Sequence, residues 1–127
     1  MSDTVTDIHA ALIRYFDALY TGRADWFAEL FHPDGLLYCA TDGTRLTVAR
    51  YLEIVAGRAS PESRGDPRRD EVLSIQIASP TTVHTRVREI FLPRLFTDEL
   101  TFVPVDGRWR IMSKIWHFEP AADPRRN

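Results

Sequence analysis

The chain has 127 residues, a formal net charge of -2, 44% hydrophobic residues and a single cysteine. One core fits this length and two would be cramped, so a single domain over residues 1–127 is expected, ordered over about 4–119 with a tail at 120–127. The near-neutral balance excludes a basic field for nucleic acid, no apolar run has membrane-spanning length, and Cys39 alone excludes an internal disulfide or a cysteine-based metal site.

The N-terminus, MSDTVTDIHAAL, lacks a basic start followed by an apolar run, so a cytoplasmic location is expected. Residues 4–21 repeat Ile8, Leu12, Tyr15 and Leu19 at helical spacing, with Gly22 as the stop. A second helix is predicted over 24–31 and must end before Pro33. Pro33-Asp34-Gly35 reads as a turn. Leu36–Thr41 reads as a strand, Asp42-Gly43 as a hairpin turn, and 44–46 as a short return strand. Thr47 caps a third helix whose buried stripe is Val48, Tyr51, Leu52 and Val55.

Residues 58–70 form one long loop rich in Arg, Pro, Gly and Ser; Arg58, Arg64, Arg68 and Arg69 either cover a pocket mouth or are solvated. Strands follow over 71–78, 82–92, 95–103 and 109–118. In the second of these, His84, Arg86 and Arg88 share one face, placed outward; Val83, Thr85, Val87 and Phe91 share the other, with Glu89 among them. The pattern of helices first and mostly antiparallel strands afterwards predicts an α+β fold, with helices on one face of a curved sheet.

One strand breaks its own alternation. In FTDELTF, residues 96–102, Phe96, Leu100 and Phe102 share a face with Asp98. Lys114 lies on the next strand. A three-residue turn at Val105–Gly107 places Asp98 opposite Lys114; a two-residue turn at Asp106-Gly107 places it opposite Ile115, and the first is favoured. An ion pair there is either structural or available to a ligand. Tyr38, Phe96, Phe102 and Trp116 either line a pocket for a flat ring or fill a core; Met112, Lys114 and Glu89 are the other candidates for the pocket wall. The dispersed histidines have no metal-ligand spacing, so no metal and no cofactor are expected.

The order of elements resembles the cone-shaped α+β proteins named after nuclear transport factor 2. "IRYFDALYTGRADWFAELFHPDG" is similar to the opening of ketosteroid isomerases and polyketide-cyclase-like members. "TDELTFVPVDGRWRIMSKIWHF" resembles the branch called putative lumazine-binding, with its Asp-containing strand running into Gly-x-Trp-x-Ile-x-x-Lys. The resemblance implies three N-terminal helices packed on a strongly curved, mostly antiparallel sheet that forms a cone with a central pocket. It also implies homodimers through the outer sheet face.

From the isomerases the resemblance carries over an acid at Asp98 and a tyrosine at Tyr15, which together stabilise an enolate oxygen. Their general base, an aspartate on the first strand, is not matched, because Cys39 stands there and a buried thiol ionises poorly. Three functions stay open on these grounds. The first is a binding protein for a small apolar or aromatic molecule. The second is an isomerase, dehydratase or cyclase acting on a carbonyl compound through Asp98 and Tyr15. The third is a non-catalytic dimerisation module.

Overall fold

The computed structural model describes residues 3–125. Helix α1 spans Thr4–Thr21 and α2 spans Ala24–Leu30; β1 is Phe31–Cys39 and β2 Arg45–Thr47; α3 is Val48–Gly57. Four strands complete the chain, β3 (Asp70–Ser79), β4 (Thr82–Phe91), β5 (Arg94–Val105) and β6 (Arg108–Pro120). The helix ends follow from their caps. The Asp3 carboxylate accepts from the Val5 N–H at 3.2 Å, Gly22 takes φ 72° to close α1, and the Thr47 hydroxyl accepts from the Arg50 N–H at 3.1 Å.

The described strands form a six-stranded sheet in the order β2-β1-β6-β5-β4-β3. All neighbours are antiparallel except β1 and β6, which run parallel, so the sheet is mixed. Two parts of the expected architecture are corrected. The helices are not all N-terminal: the Asp42-Gly43 turn folds β1 back into β2 before α3 begins. The sheet is open and not a strongly curved cone, because β2 and β3 are two separate edges with no pairing between them.

The expected turn at Pro33–Gly35 is also corrected, since these residues belong to β1. The pairing of β1 with β6 slips between Phe31 and Leu36, and this irregularity absorbs the proline. Gly35 is there for close approach. A Cβ on it would lie 3.0 Å from the His32 carbonyl oxygen and 3.2 Å from that of Met112.

The inner sheet face and the helices bury one apolar cluster. Ile8, Leu12, Tyr15 and Phe16 of α1 meet Phe27 of α2, Tyr51 and Val55 of α3, and Val83, Val87, Leu100, Phe102 and Ile111 of the sheet. Its rings pack edge to face, with Tyr15–Phe27 centroids at 5.6 Å and Phe27–Tyr51 at 5.4 Å.

The hairpin between β5 and β6 sets what faces inward. Its turn has two residues, Asp106 and Gly107, both at positive φ (51° and 78°), with Val105 opposite Arg108. Alone, that turn puts Asp98 opposite Ile115. The register then shifts: Phe102 pairs with Ile111 but Thr101 with Ser113, so Met112 is an extra residue. The bulge reverses the facing of everything after it. Asp98 pairs with Trp116 and Leu100 with Lys114, which corrects the favoured register of Asp98 opposite Lys114. Lys114 still turns inward, diagonal to Asp98, while Ile115 is left outside, 46% exposed.

Candidate functional site

Five polar side chains converge inside the fold. Asp98, Glu89 and Lys114 come from the inner sheet face, Tyr15 from α1 and Tyr51 from α3; all five are buried, Asp98 and Tyr15 completely. The Tyr15 hydroxyl donates to Asp98 Oδ2 at 2.7 Å. Lys114 Nζ lies 4.0 Å from the same oxygen and donates to the Tyr51 hydroxyl at 3.3 Å. The ammonium also faces three rings, with centroids at 4.7 Å for Tyr51 and 5.3 Å for both Tyr15 and Trp116.

The charge states follow from this packing. Burial alone would push the Lys114 ammonium down, but Tyr51, Asp98 and Glu89 outweigh it and hold the lysine above its ordinary value. Lys114 is therefore a charged donor and not a free amine. Burial, then Asp98, push the Glu89 carboxyl well above the usual carboxylate range. Burial and the same two acids push Tyr15 well above an ordinary phenol, so it remains a neutral donor.

Two buried oxygens, Glu89 Oε2 and Asp98 Oδ1, have no donor. Glu89 and Asp98 are diagonal neighbours on adjacent strands, since Glu89 pairs with Phe96 and Asp98 with Val87. A Glu89 carboxyl that keeps its proton brings an O–H donor beside these orphaned oxygens.

A cavity of about 240 Å³ opens above this cluster. Its buried floor is Tyr51, Glu89 and Lys114; Leu19, Leu46, Ile54, Phe91, Phe96, Trp116 and Phe118 form apolar and aromatic walls; Asp42, Thr44, Arg58 and Arg94 form the rim. The volume lies just below the usual range for drug-sized ligands and suits a compact molecule.

Of the residues singled out from the sequence, Glu89, Phe96, Lys114 and Trp116 line this cavity. Asp98 and Tyr15 touch each other, one layer below it. Phe102 is wholly buried in the core and Met112 sits at the bulge, neither of them on the cavity wall. Tyr38 lies on the opposite sheet face, 43% exposed, and Cys39 is buried beside β6. His84, Arg86 and Arg88 face outward, where Arg86 pairs with Glu99 and His84 meets Thr101.

Sequence reasoning passed over Tyr51 as a core residue. The signal was its hydroxyl: a tyrosine on a buried helical stripe must find a polar partner, and Lys114 is that partner. It also passed over Arg94 and Phe118, which reach the cavity from strand ends, while Phe91, expected on the inner face, lines it.

A family profile described as "Putative lumazine-binding" matches residues 3–117. The Aldolase FrzH of Cladobotryum sp is 33% identical over 111 residues, 84% of each chain. Among solved structures, an NTF2-like protein of unknown function from Shewanella baltica superposes with a TM-score of 0.79 at 19% identity, over 95% of this chain and all (100%) of that one. A ketosteroid isomerase-like protein from Erwinia carotovora gives 0.75 at 12% identity, over 95% and 100%. These two likenesses concern the fold.

Proposed function

The chain belongs to the putative lumazine-binding family of nuclear transport factor 2-like proteins, and on that premise we propose that its cavity binds a small carbonyl compound and enolises it. The observation that carries this reading is the floor itself, where a charged amine, a phenol and a carboxyl group of raised basicity meet beneath aromatic walls.

The carbonyl oxygen lies against the Lys114 ammonium and the Tyr51 hydroxyl. The Glu89 carboxylate takes the proton from the α-carbon. The electron pair of that C–H bond moves into the enolate, whose oxygen the two donors stabilise in a site shielded from water. The raised pKa of Glu89 makes it a stronger base when ionised and a proton donor afterwards. Tyr15 and Asp98 act as a positioning pair: the Asp98 carboxyl keeps Lys114 charged, and the Tyr15 hydrogen bond holds Asp98 in place. The Cladobotryum relative is named an aldolase, and enolate formation is the step from which aldol carbon–carbon bond formation proceeds.

Deuterium incorporation at the α-carbon of aryl ketones, followed by NMR in heavy water, tests the proposal. The wild type should exceed the buffer rate, and Tyr51→Phe should lower the enzymatic rate by about a hundredfold, as expected for one lost oxyanion donor. Saturable binding of these ketones with exchange at the buffer rate would leave a binding protein in place of an enzyme.

A homodimer through the outer sheet face belongs to the same proposal. Leu36, Tyr38 and Ile115 form an exposed apolar patch there, Leu36 being 69% exposed, and Tyr38 and Ile115 are direct neighbours on paired strands. Light scattering should give a dimer for the wild type and a monomer for Ile115→Asp; a wild-type monomer would remove the claim.

A further inference from the structure

The cavity rim has a cationic character that enolisation alone does not require. Arg58 follows α3 and Arg94 opens β5, and both reach the same cavity. Each guanidinium lies over a ring of that cavity's wall, Arg58 at 4.5 Å from the Phe91 centroid and Arg94 at 4.0 Å from that of Phe118. Stacking uses the face of the guanidinium and leaves its N–H edge for a planar acceptor.

Neither arginine side chain has a hydrogen bond or ion pair with another described residue. The arginines of the adjoining loop differ: Arg64 pairs with Asp66 at 2.7 Å, and Arg68 with Asp17 at 2.6 Å and Asp70 at 2.8 Å. One carboxylate shares the rim, Asp42, which accepts from the Thr44 N–H at 2.9 Å and lies within the weaker influence of Arg94. Two guanidinium groups against one occupied carboxylate leave the rim positive.

We infer that the substrate is an anionic carbonyl compound, whose carboxylate or phosphate group is held at the rim by Arg58 and Arg94 while its carbonyl reaches Lys114. The inference rests on the carbonyl reading above and adds the substrate class. Two cationic groups from separate elements bracket the mouth, so an oxyanion there also fixes the ligand's orientation.

Calorimetric titration at low salt with three probes tests it: benzoylformate, its methyl ester, and phenyl phosphate. None has an α-hydrogen, so binding is read without turnover. At least one anion should bind about tenfold or more tighter than the ester, and Arg58→Gln or Arg94→Gln should remove most of that advantage, weakening the anion far more than the ester. The tighter anion identifies carboxylate or phosphate as the group recognised. Equal affinity for acid and ester overturns the anionic class and leaves the carbonyl pocket standing. Anion binding that survives both substitutions places the anion elsewhere and also overturns it. Failure of all three probes to bind counts against the pocket reading and this inference together.

Discussion

Replacing Lys114 with methionine is expected to lower stability by about 3 kcal/mol at neutral pH, the cost of leaving a buried charge without its partner. Lys114 is almost wholly enclosed, and its ammonium is the single cation facing Asp98 and Glu89 within the buried cluster. Methionine fills a similar volume, so the loss reads the charge and not a void. The sign is set by its pKa. Held above the ordinary 10.5, the lysine stabilises the fold fully below that pH and loses this contribution as pH rises through its folded value.

In the variant the order reverses at the acidic side. Without the ammonium, the one group that favours the ionised Glu89 carboxyl is gone and burial holds its proton more tightly still, so Lys114→Met should regain stability as pH falls toward 5. Urea unfolding at pH 5 and pH 7 checks this. A variant equal to the wild type at both values would mean that desolvation already cancels the pair's attraction. Enolisation by the variant should fall by about a thousandfold, since the main charge facing the enolate oxygen is gone.

Glu89→Gln is expected to stabilise the protein at neutral and alkaline pH while abolishing proton abstraction. The Glu89 carboxyl is raised well above 4.5 by burial first and Asp98 second. The folded protein therefore holds this proton more tightly than the unfolded chain does. The contribution is complete below the unfolded value and is lost as pH rises through the folded one. Glutamine keeps the shape, never ionises, and brings an N–H that Asp98 Oδ1 lacks. The stability difference between variant and wild type should grow from near zero at pH 4.5 to about 1–2 kcal/mol at pH 8. Thermal unfolding across that range measures it, and a difference that shrinks with rising pH would refute the raised Glu89 carboxyl. The exchange rate should drop by about a thousandfold with the base removed.

Much of this arrangement was legible in the residues. Asp98 declared itself because a carboxylate broke a strict alternation between two phenylalanines and a leucine, and Glu89 did the same among valines. Gly22 and Thr47 were legible as helix ends, because each acts on backbone groups a few residues away. The pairing of Tyr15 with Asp98 rested on family resemblance, and the two groups meet at 2.7 Å.

The inward facing of Lys114 was expected, but the register that produces it was not legible. It depends on the single extra residue at Met112, inserted after Ile111, which the two-residue turn at Asp106-Gly107 already places inward opposite Phe102. Turn chemistry alone would have sent Lys114 outward and Ile115 inward. Nor did periodicity separate the cavity wall from the core, because Phe96 and Phe102 lie on one face of one strand and differ only in what packs above them. Local sequence determined where the elements begin and end and which acids are buried, because caps, turns and alternation act over a few residues. The tertiary structure decided which of those groups share a floor, because Tyr51, Glu89 and Lys114 lie far apart in the chain and only the packing of α3 on a bulged, open sheet brings them together.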